Sequence, residues 1–379
     1  MINKNQITYF FGAGASYHAI PTIDGIYNRI KNLIQYLTGK KEDAENENLN
    51  LFLNQSIKNN KQILENIIGE LEWLHSEAEQ HQTVDTLAKR YYVQREDESL
   101  CRLKRALMIY FFFEQNIVFP NYSEKKNEHE ELLDKRYDNL VASIAERGET
   151  GIKLKDHIKI ITWNYDLQID LALRNYFNGK SQSINKIKNE LNIHPNKNSY
   201  DLPNGEFINR NSFAALKLNG NAFLDNSFKN NSHDAFTIND YRFLDNKDND
   251  DILGEFILKY EEIFQKRINI NHAVYKYFNF AWEKEKYIGH NSLLNEAINI
   301  MESTKILIVI GYSFPYFNSE IDKQLFSKCN PSEIIIQDLE PEQIKENLLT
   351  LLSQNKISFD QTKIKYVNPG KYFPIHQET

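Results

Sequence analysis

The chain has 379 residues, enough for two or three average domains or for one large α/β domain carrying insertions. With 41% hydrophobic and 26% charged residues it can bury a sizeable core, and its net charge of −7 argues against a dedicated nucleic-acid binder while leaving room for a local basic face. Two distant cysteines, Cys101 and Cys329, exclude a cysteine-only zinc site and a disulfide framework; no apolar run is long enough to span a bilayer, and the first six residues lack the apolar core of a signal peptide, so a soluble cytoplasmic protein is expected.

The first predicted strand is Ile7-Thr8-Tyr9-Phe10-Phe11, which runs straight into Gly12-Ala13-Gly14-Ala15-Ser16. Two glycines spaced by one residue between a strand and a helical pattern read either as a plain strand-to-helix turn or as a phosphate cradle, with free N–H groups at the helix start as donors. Tyr17 stands where the full dinucleotide fingerprint has its third glycine. Ile26, Ile30, Leu33, Ile34 and Leu37 then recur at helical spacing, with Thr22 or Asp24 available as a cap, and predict the first crossover helix. From Gly39 to about Asn60, Lys, Glu and Asn predominate, which predicts a polar loop or a solvated helix end. Two apolar stripes follow, Ile63-Ile67-Ile68-Leu71-Leu74 and Leu100-Leu103-Leu107-Phe111, with a capped helix start at Val84 to Lys89 between them. Asn121 to Glu131 is dense in charge and predicts a loop.

A second apolar strand, beginning at Ile158, empties into Thr162-Trp163-Asn164-Tyr165-Asp166, and a helical stripe follows it. Asn178 to Arg210 carries no clear signal, and Ala214 to Leu218 gives a short strand ending at Asn219-Gly220. A mostly helical segment is expected up to Glu302, with Phe278 to Glu283 inside it. The strongest buried-strand pattern is Ile306 to Ile310, which ends in Gly311-Tyr312-Ser313-Phe314 ahead of a helix start at Ser319. A strand ending at Asp338, a helix around Leu348, Leu349 and Leu352 and a strand from Lys363 to Val367 close the chain. The expected fold class is α/β, a Rossmann-like parallel sheet with helices on both faces, its strands drawn from both ends of the sequence. Ligands of such sheets sit outside the carboxyl ends of the strands, where these polar residues fall.

Four strand ends thus share a pattern: the glycine turn at residues 12–16, Thr162 to Asp166, Lys217-Leu218-Asn219-Gly220 and Ile310 to Phe314. In this order they resemble the sirtuin-like NAD-consuming family, in particular its bacterial branch linked to defence against phage. The resemblance implies one sirtuin-like NAD-binding domain over residues 1–379, with helical insertions at about 40–150 and 225–300. It implies that Gly12, Ala13, Gly14, Ala15 and Ser16 hold the pyrophosphate of NAD. Asn164 would stand beside the nicotinamide ribose with Asp166 in support, Gly311, Tyr312 and Ser313 would line the adenosine side, and Asp338 would reach the adenine ribose. Plainer roles stay open: Asn164 and Asp166 as a helix cap, Ser313 as a turn residue, Asp338 as a loop carboxylate.

The chain departs from the family in two places. Two cysteines cannot build the four-cysteine zinc module of the protein-deacetylating sirtuins, so no metal and no deacetylase activity are expected. The motif usually read Lys-Leu-His-Gly carries Asn219, and asparagine cannot accept a proton at neutral pH. Loss of a general base typically costs ~10²–10⁴-fold, and His18, just after the glycine turn, is a candidate substitute. The resemblance therefore implies an NAD glycohydrolase, the effector of an antiphage system that depletes NAD on infection, with Asn219 among its site residues. Alternatives are a catalytically impaired NAD or ADP-ribose-binding subunit and an ADP-ribosyltransferase. A partner protein is implied, such as a nucleotide-sensing protein, an ATPase or a short Argonaute, in a homo- or hetero-oligomer without membrane or direct nucleic-acid binding.

Overall fold

The computed structural model describes residues 5–46, 48–81, 83–117, 132–148, 152–176, 184–196, 208–222, 248–264, 278–283 and 288–377. The chain divides into two compact units: residues 1–17, 133–221 and 279–379 form one, and residues 18–132 and 222–278 the other.

The first unit is built on a seven-stranded, all-parallel sheet. In chain order its strands are β1 (Ile7–Phe11), β4 (Ile158–Thr162), β5 (Ile193–His194), β6 (Ala214–Lys217), β7 (Ile306–Ile310), β8 (Glu333–Gln337) and β9 (Ile364–Val367), arranged as β5-β6-β4-β1-β7-β8-β9. β2 (Ala145–Arg147) and β3 (Ile152–Leu154) pair apart from it as an antiparallel ribbon. The central strands are rich in Ile and Val and buried on both faces, as parallel sheets require. Because side chains alternate along a strand, Ile7, Tyr9 and Phe11 of β1 share one face with Ile158, Ile160, Ile306, Ile308 and Ile310. That face packs on Tyr137, Leu140, Val141 and Ile144 of α6 (Lys135–Ile144) and on Ile169, Ala172 and Leu173 of α7 (Gln168–Arg174). On the opposite face Thr8 bonds Thr304 at 2.7 Å, just past α10 (Ile288–Ser303), and Phe10 meets Phe326 at the end of α11 (Ser319–Leu325). A helix α8 (Ile184–Glu190) precedes β5, and α12 (Pro341–Gln354), with proline in its first turn, connects β8 to β9.

The second unit is helical: α1 (Ile23–Glu45), α2 (Leu51–Asn59), α3 (Lys61–Gln80), α4 (Val84–Gln94), α5 (Asp97–Asn116) and α9 (Asn249–Phe264). Here the structure departs from the sequence pattern. The helix after β1 belongs to this unit and packs on α3, α2 and α5, so it is not a crossover helix of the sheet. It also runs through Gly39 to Glu45, in keeping with a solvated helix end there, and α2 from Leu51 replaces the alternative of a polar loop. Lys, Glu and Gln are good helix formers, and Leu37, Ala44, Leu53 and Ile57 supply buried contacts the composition masks. α4 starts at Val84 as expected, and its cap is Thr83, which accepts from the Thr86 N–H at 2.9 Å. Phe278 to Glu283 is not helical, because its N–H groups are drawn to Asn219 and to Glu283. The expected loop at 121–131 lies outside the described residues.

Candidate functional site

Parallel pairing in a single register aligns the carboxyl ends of six strands: Lys217, Thr162, Phe11, Ile310, Gln337 and Val367 are consecutive partners across the sheet. The segments that follow four of them are those singled out in the sequence. The strand order reverses between β1 and β7, the connection after β1 leading to β4 on one side and that after β7 to β8 on the other, and such a point is where open α/β sheets bind ligands.

After β1 the chain makes a short 3₁₀ turn, Ala13–Ser16, rather than entering an α-helix. The N–H of Gly12 donates to Ile310 O and that of Gly14 to Gly311 O, both at 3.0 Å, while Ala15 and Tyr17 N–H donate back into the turn. The loop donors expected to face a phosphate are thus spent, those of Gly12 and Gly14 on holding the ends of β1 and β7 together and those of Ala15 and Tyr17 within the turn. Ala13, which is exposed, is the exception among the described residues. The two loops touch backbone to backbone: Gly311 has φ +59°, and a Cβ there would lie 2.4 Å from Gly14 C and Cα. Arg136, buried at the start of α6, closes the turn from outside, donating to Gly14 O at 3.2 Å and Ala15 O at 3.0 Å and pairing with Asp134 at 2.6 Å.

Asn164 and Asp166 converge on this loop. The Asn164 side-chain amide donates to Gly12 O at 2.9 Å and to Ser16 Oγ at 3.2 Å. A carbonyl can only accept, so the amide nitrogen faces the loop, and among the described residues Oδ1 is the unspent acceptor. Ser16 Oγ donates to Asp166 at 2.7 Å and lies 3.1 Å from the buried Tyr137 hydroxyl. Asp166 also accepts from the Gln168 N–H at 2.9 Å, which is a helix-start role, so the cap reading of Asp166 and its place in the cluster hold together. Burial raises the Asp166 carboxyl above its ordinary range, opposed by the Lys217 charge and these hydrogen bonds. Lys217, itself buried, pairs with Asp170 at 2.7 Å and donates to the Asp166 carbonyl.

Asn219 is fully engaged in structure. Its amide donates to Trp163 O at 2.8 Å and its oxygen accepts from the Ala281 N–H at 2.9 Å, tying the ends of β4 and β6 to residues 278–283. Trp163 stacks on Tyr312, 5.7 Å between centroids with the ring planes nearly parallel. The Tyr312 hydroxyl donates to the buried Asp322 at 2.8 Å and accepts from Asn318 at 3.2 Å. Burial holds the Asp322 carboxyl well above its ordinary range despite the Tyr312 hydrogen bond. A raised folded-state pKa contributes stability that is complete at low pH and is lost as pH rises past the unfolded value of 3.8. Asp322→Asn keeps an acceptor for Tyr312 without the charge. Its stability relative to the parent is therefore expected to improve steadily from pH 4 upward, measured by urea midpoints across pH; a pH-independent difference would contradict it.

Ser313 is exposed, and its carbonyl accepts from Asn347. Asp338 is half-buried and accepts from the Glu340 N–H at 3.1 Å, as a loop carboxylate before α12 does. Neither touches the Asn164 cluster through the hydrogen bonds described. His18 falls in the helical unit. Sequence reasoning missed Arg136, Tyr137, Asp170 and Asp322 as parts of the site. Lys217 gave a readable signal, a lysine on a strand otherwise apolar, whereas Arg136 and Tyr137 enter from a helix that no motif marks. Among the described residues no group of three or more His, Cys, Asp or Glu could hold a metal ion, and no helix is long and apolar enough to cross a membrane. No protein-family model matches this chain, and no curated protein matches it in sequence.

Proposed function

We propose that the chain is a sirtuin-like NAD glycohydrolase, converting NAD and water to nicotinamide, ADP-ribose and a proton, and that it serves in the cytoplasm as the effector of a bacterial antiphage system. The observation that carries this reading is the Asn164 cluster: Asn164, Ser16 and Asp166 meet beside the glycine turn, at the switch point of the sheet, with the Asn164 Oδ1 unspent. Nicotinamide leaves as a neutral molecule, so the glycosidic bond can break without a general acid, and an oxocarbenium-like ribose can be taken by weakly activated water. In this reading Asn164 Oδ1 accepts from a ribose hydroxyl or the attacking water, and Asp166, through Ser16, keeps Asn164 in place. The adenine end lies toward Tyr312. The pyrophosphate then relies on Ala13, or on opening of the Gly14 to Gly311 bond, because the other loop donors are occupied. Activation by a defence partner, in a homo- or hetero-oligomer, belongs to the same proposal.

The engagement of Asn219 favours a second reading, in which NAD or ADP-ribose is bound without turnover as a regulatory ligand. Nicotinamide release from NAD, followed chromatographically with the chain alone and with the product of its neighbouring gene, separates the two. Turnover is expected, and Asn164→Ala is expected to lower it by about 10²–10³-fold, the range for loss of one positioned polar group. Saturable NAD binding with no nicotinamide would support the second reading, and neither binding nor release under any condition would sink both.

A further inference from the structure

The amino ends of the same strands carry a feature unrelated to the row of carboxyl ends. An open cleft of about 590 Å³ lies among the segments that lead into β1, β4, β6 and β7 and is bordered by β2 and β3. Its volume lies in the range of small-ligand clefts, about 300–1,000 Å³. Among the described residues it is lined by five cations, Lys153, Lys155, Lys159, Arg210 and Lys305, against two carboxylates, Glu146 and Asp156, in a chain whose net charge is −7.

Several of these charges are only lightly committed. Lys153 pairs with Asp156 at 3.0 Å, but both are half-exposed, and pairs of that kind are readily exchanged for a stronger partner. Lys155 spends one of its three ammonium hydrogens on Ser143 O at 2.8 Å. Lys305 is exposed and makes no ion pair among the described residues. Lys159 is buried, with its ammonium held by the carbonyls of Asp156, Arg210 and Ser212, so its contribution is charge rather than hydrogen bonds. Arg210 turns its fork to Glu296 at 2.6 and 2.8 Å, so among the described cations of the cleft Lys153, Lys155 and Lys305 are the ones placed to donate to a ligand. The side chains of Asn211 and Ser303 add polar groups to the wall.

We propose that this cleft is a second binding site, for a compact phosphate-bearing ligand, at the opposite end of the sheet from the Asn164 cluster. Strands of five residues rising about 3.3 Å each separate the two by roughly 15 Å, so one small ligand does not bridge them. Several ammonium groups around one space suit an oxygen-rich, multiply charged group. A single-stranded nucleic acid would instead call for stacking surfaces, and among the described residues no Phe, Tyr or Trp lines the cleft.

The test is calorimetric titration of the purified chain with inorganic pyrophosphate at fixed ionic strength, since exposed charges are screened by salt. One saturable site per chain is expected. The double reversal Lys153→Glu with Lys305→Glu is expected to weaken it by about tenfold or more. Both residues are exposed, so the unfolding midpoint should stay at the parent value and separate lost binding from lost fold. A parallel arm with ADP, run on the parent and the double reversal, identifies the source. ADP binding tighter than pyrophosphate that the double reversal weakens marks a nucleotide in this cleft, and equal binding marks an inorganic or headgroup phosphate. ADP binding that the double reversal leaves unchanged belongs to the Asn164 site and, with no pyrophosphate site beside it, overturns the proposal. Absence of saturable pyrophosphate binding, binding that survives the double reversal, or binding confined to a short oligonucleotide would each overturn the proposal.

Discussion

Replacing Gly311 by alanine is expected to cost the sheet unit about 4 kcal/mol or more, the range reserved for a named structural clash. Two causes add. The left-handed backbone at φ +59° disfavours any side chain by about 1–2 kcal/mol. The added Cβ would then meet Gly14 C and Cα at 2.4 Å and Ala15 N at 2.5 Å, all backbone atoms with no rotamer to swing away. Gly12→Ala meets the same obstacle from the other side, at 2.4 Å from Gly311 O. The control is Gly69→Ala on α3, where a Cβ meets nothing within 4 Å, and a gain of about 0.5–1 kcal/mol is expected. Urea unfolding followed by tryptophan fluorescence distinguishes them. A Gly311→Ala chain with the parent midpoint would show that the loops after β1 and β7 do not touch as described.

Lys217→Met should be nearly as damaging, at about 3–5 kcal/mol, because it leaves Asp170 charged and buried without its partner. Asp170 has little in reserve, since its Oδ1 already has no hydrogen-bond partner. The paired change Lys217→Met with Asp170→Leu removes both charges and should recover much of the loss, a coupling that a double-mutant cycle reads directly. The single variant has a further signature at the site. Without the Lys217 charge, the Asp166 carboxyl loses the largest influence opposing its burial, so its titration should move further upward. Recovery of stability in the double variant without recovery of NAD turnover would separate the two roles of the lysine. A single variant that unfolds with the parent, and titrates with it, would refute both.

What the sequence made legible follows from where the physics is local. The five-residue apolar run Ile306–Ile310 declared a buried parallel strand, because only a sheet covered on both faces tolerates such a run, and Ile158, Ile160 and Ile161 declared a second around one lysine. The seven-stranded parallel sheet bears out the α/β reading. Asn164 and Asp166 could be picked out because they end an apolar strand. Other features depend on partners distant in sequence. Nothing around Arg136 announces that its guanidinium closes a turn more than a hundred residues earlier, and nothing around Asn219 shows that its amide is consumed by Trp163 and Ala281. The turn at residues 12–16 is the sharpest case. Its glycines suggested backbone open to a ligand, yet at Gly12 and Gly14 the missing side chains make room for the backbone of Gly311.

The interleaving of the sheet also governs when the protein becomes complete. β1 leaves the ribosome before both of its neighbours in the sheet, β4 and β7, the latter pairing Phe11 with Ile310. Domains fold as units during synthesis, and loop closure over such separations makes late strands rate-limiting. A nascent chain holding β1, β4 and β6 but not β7 has no carbonyl at Ile310 or Gly311 to receive the Gly12 and Gly14 N–H groups. The turn that positions Asn164 and Ser16 is therefore assembled only after β7 has been made, so a product truncated before β7 would carry the Asn164 motif without the shaped site.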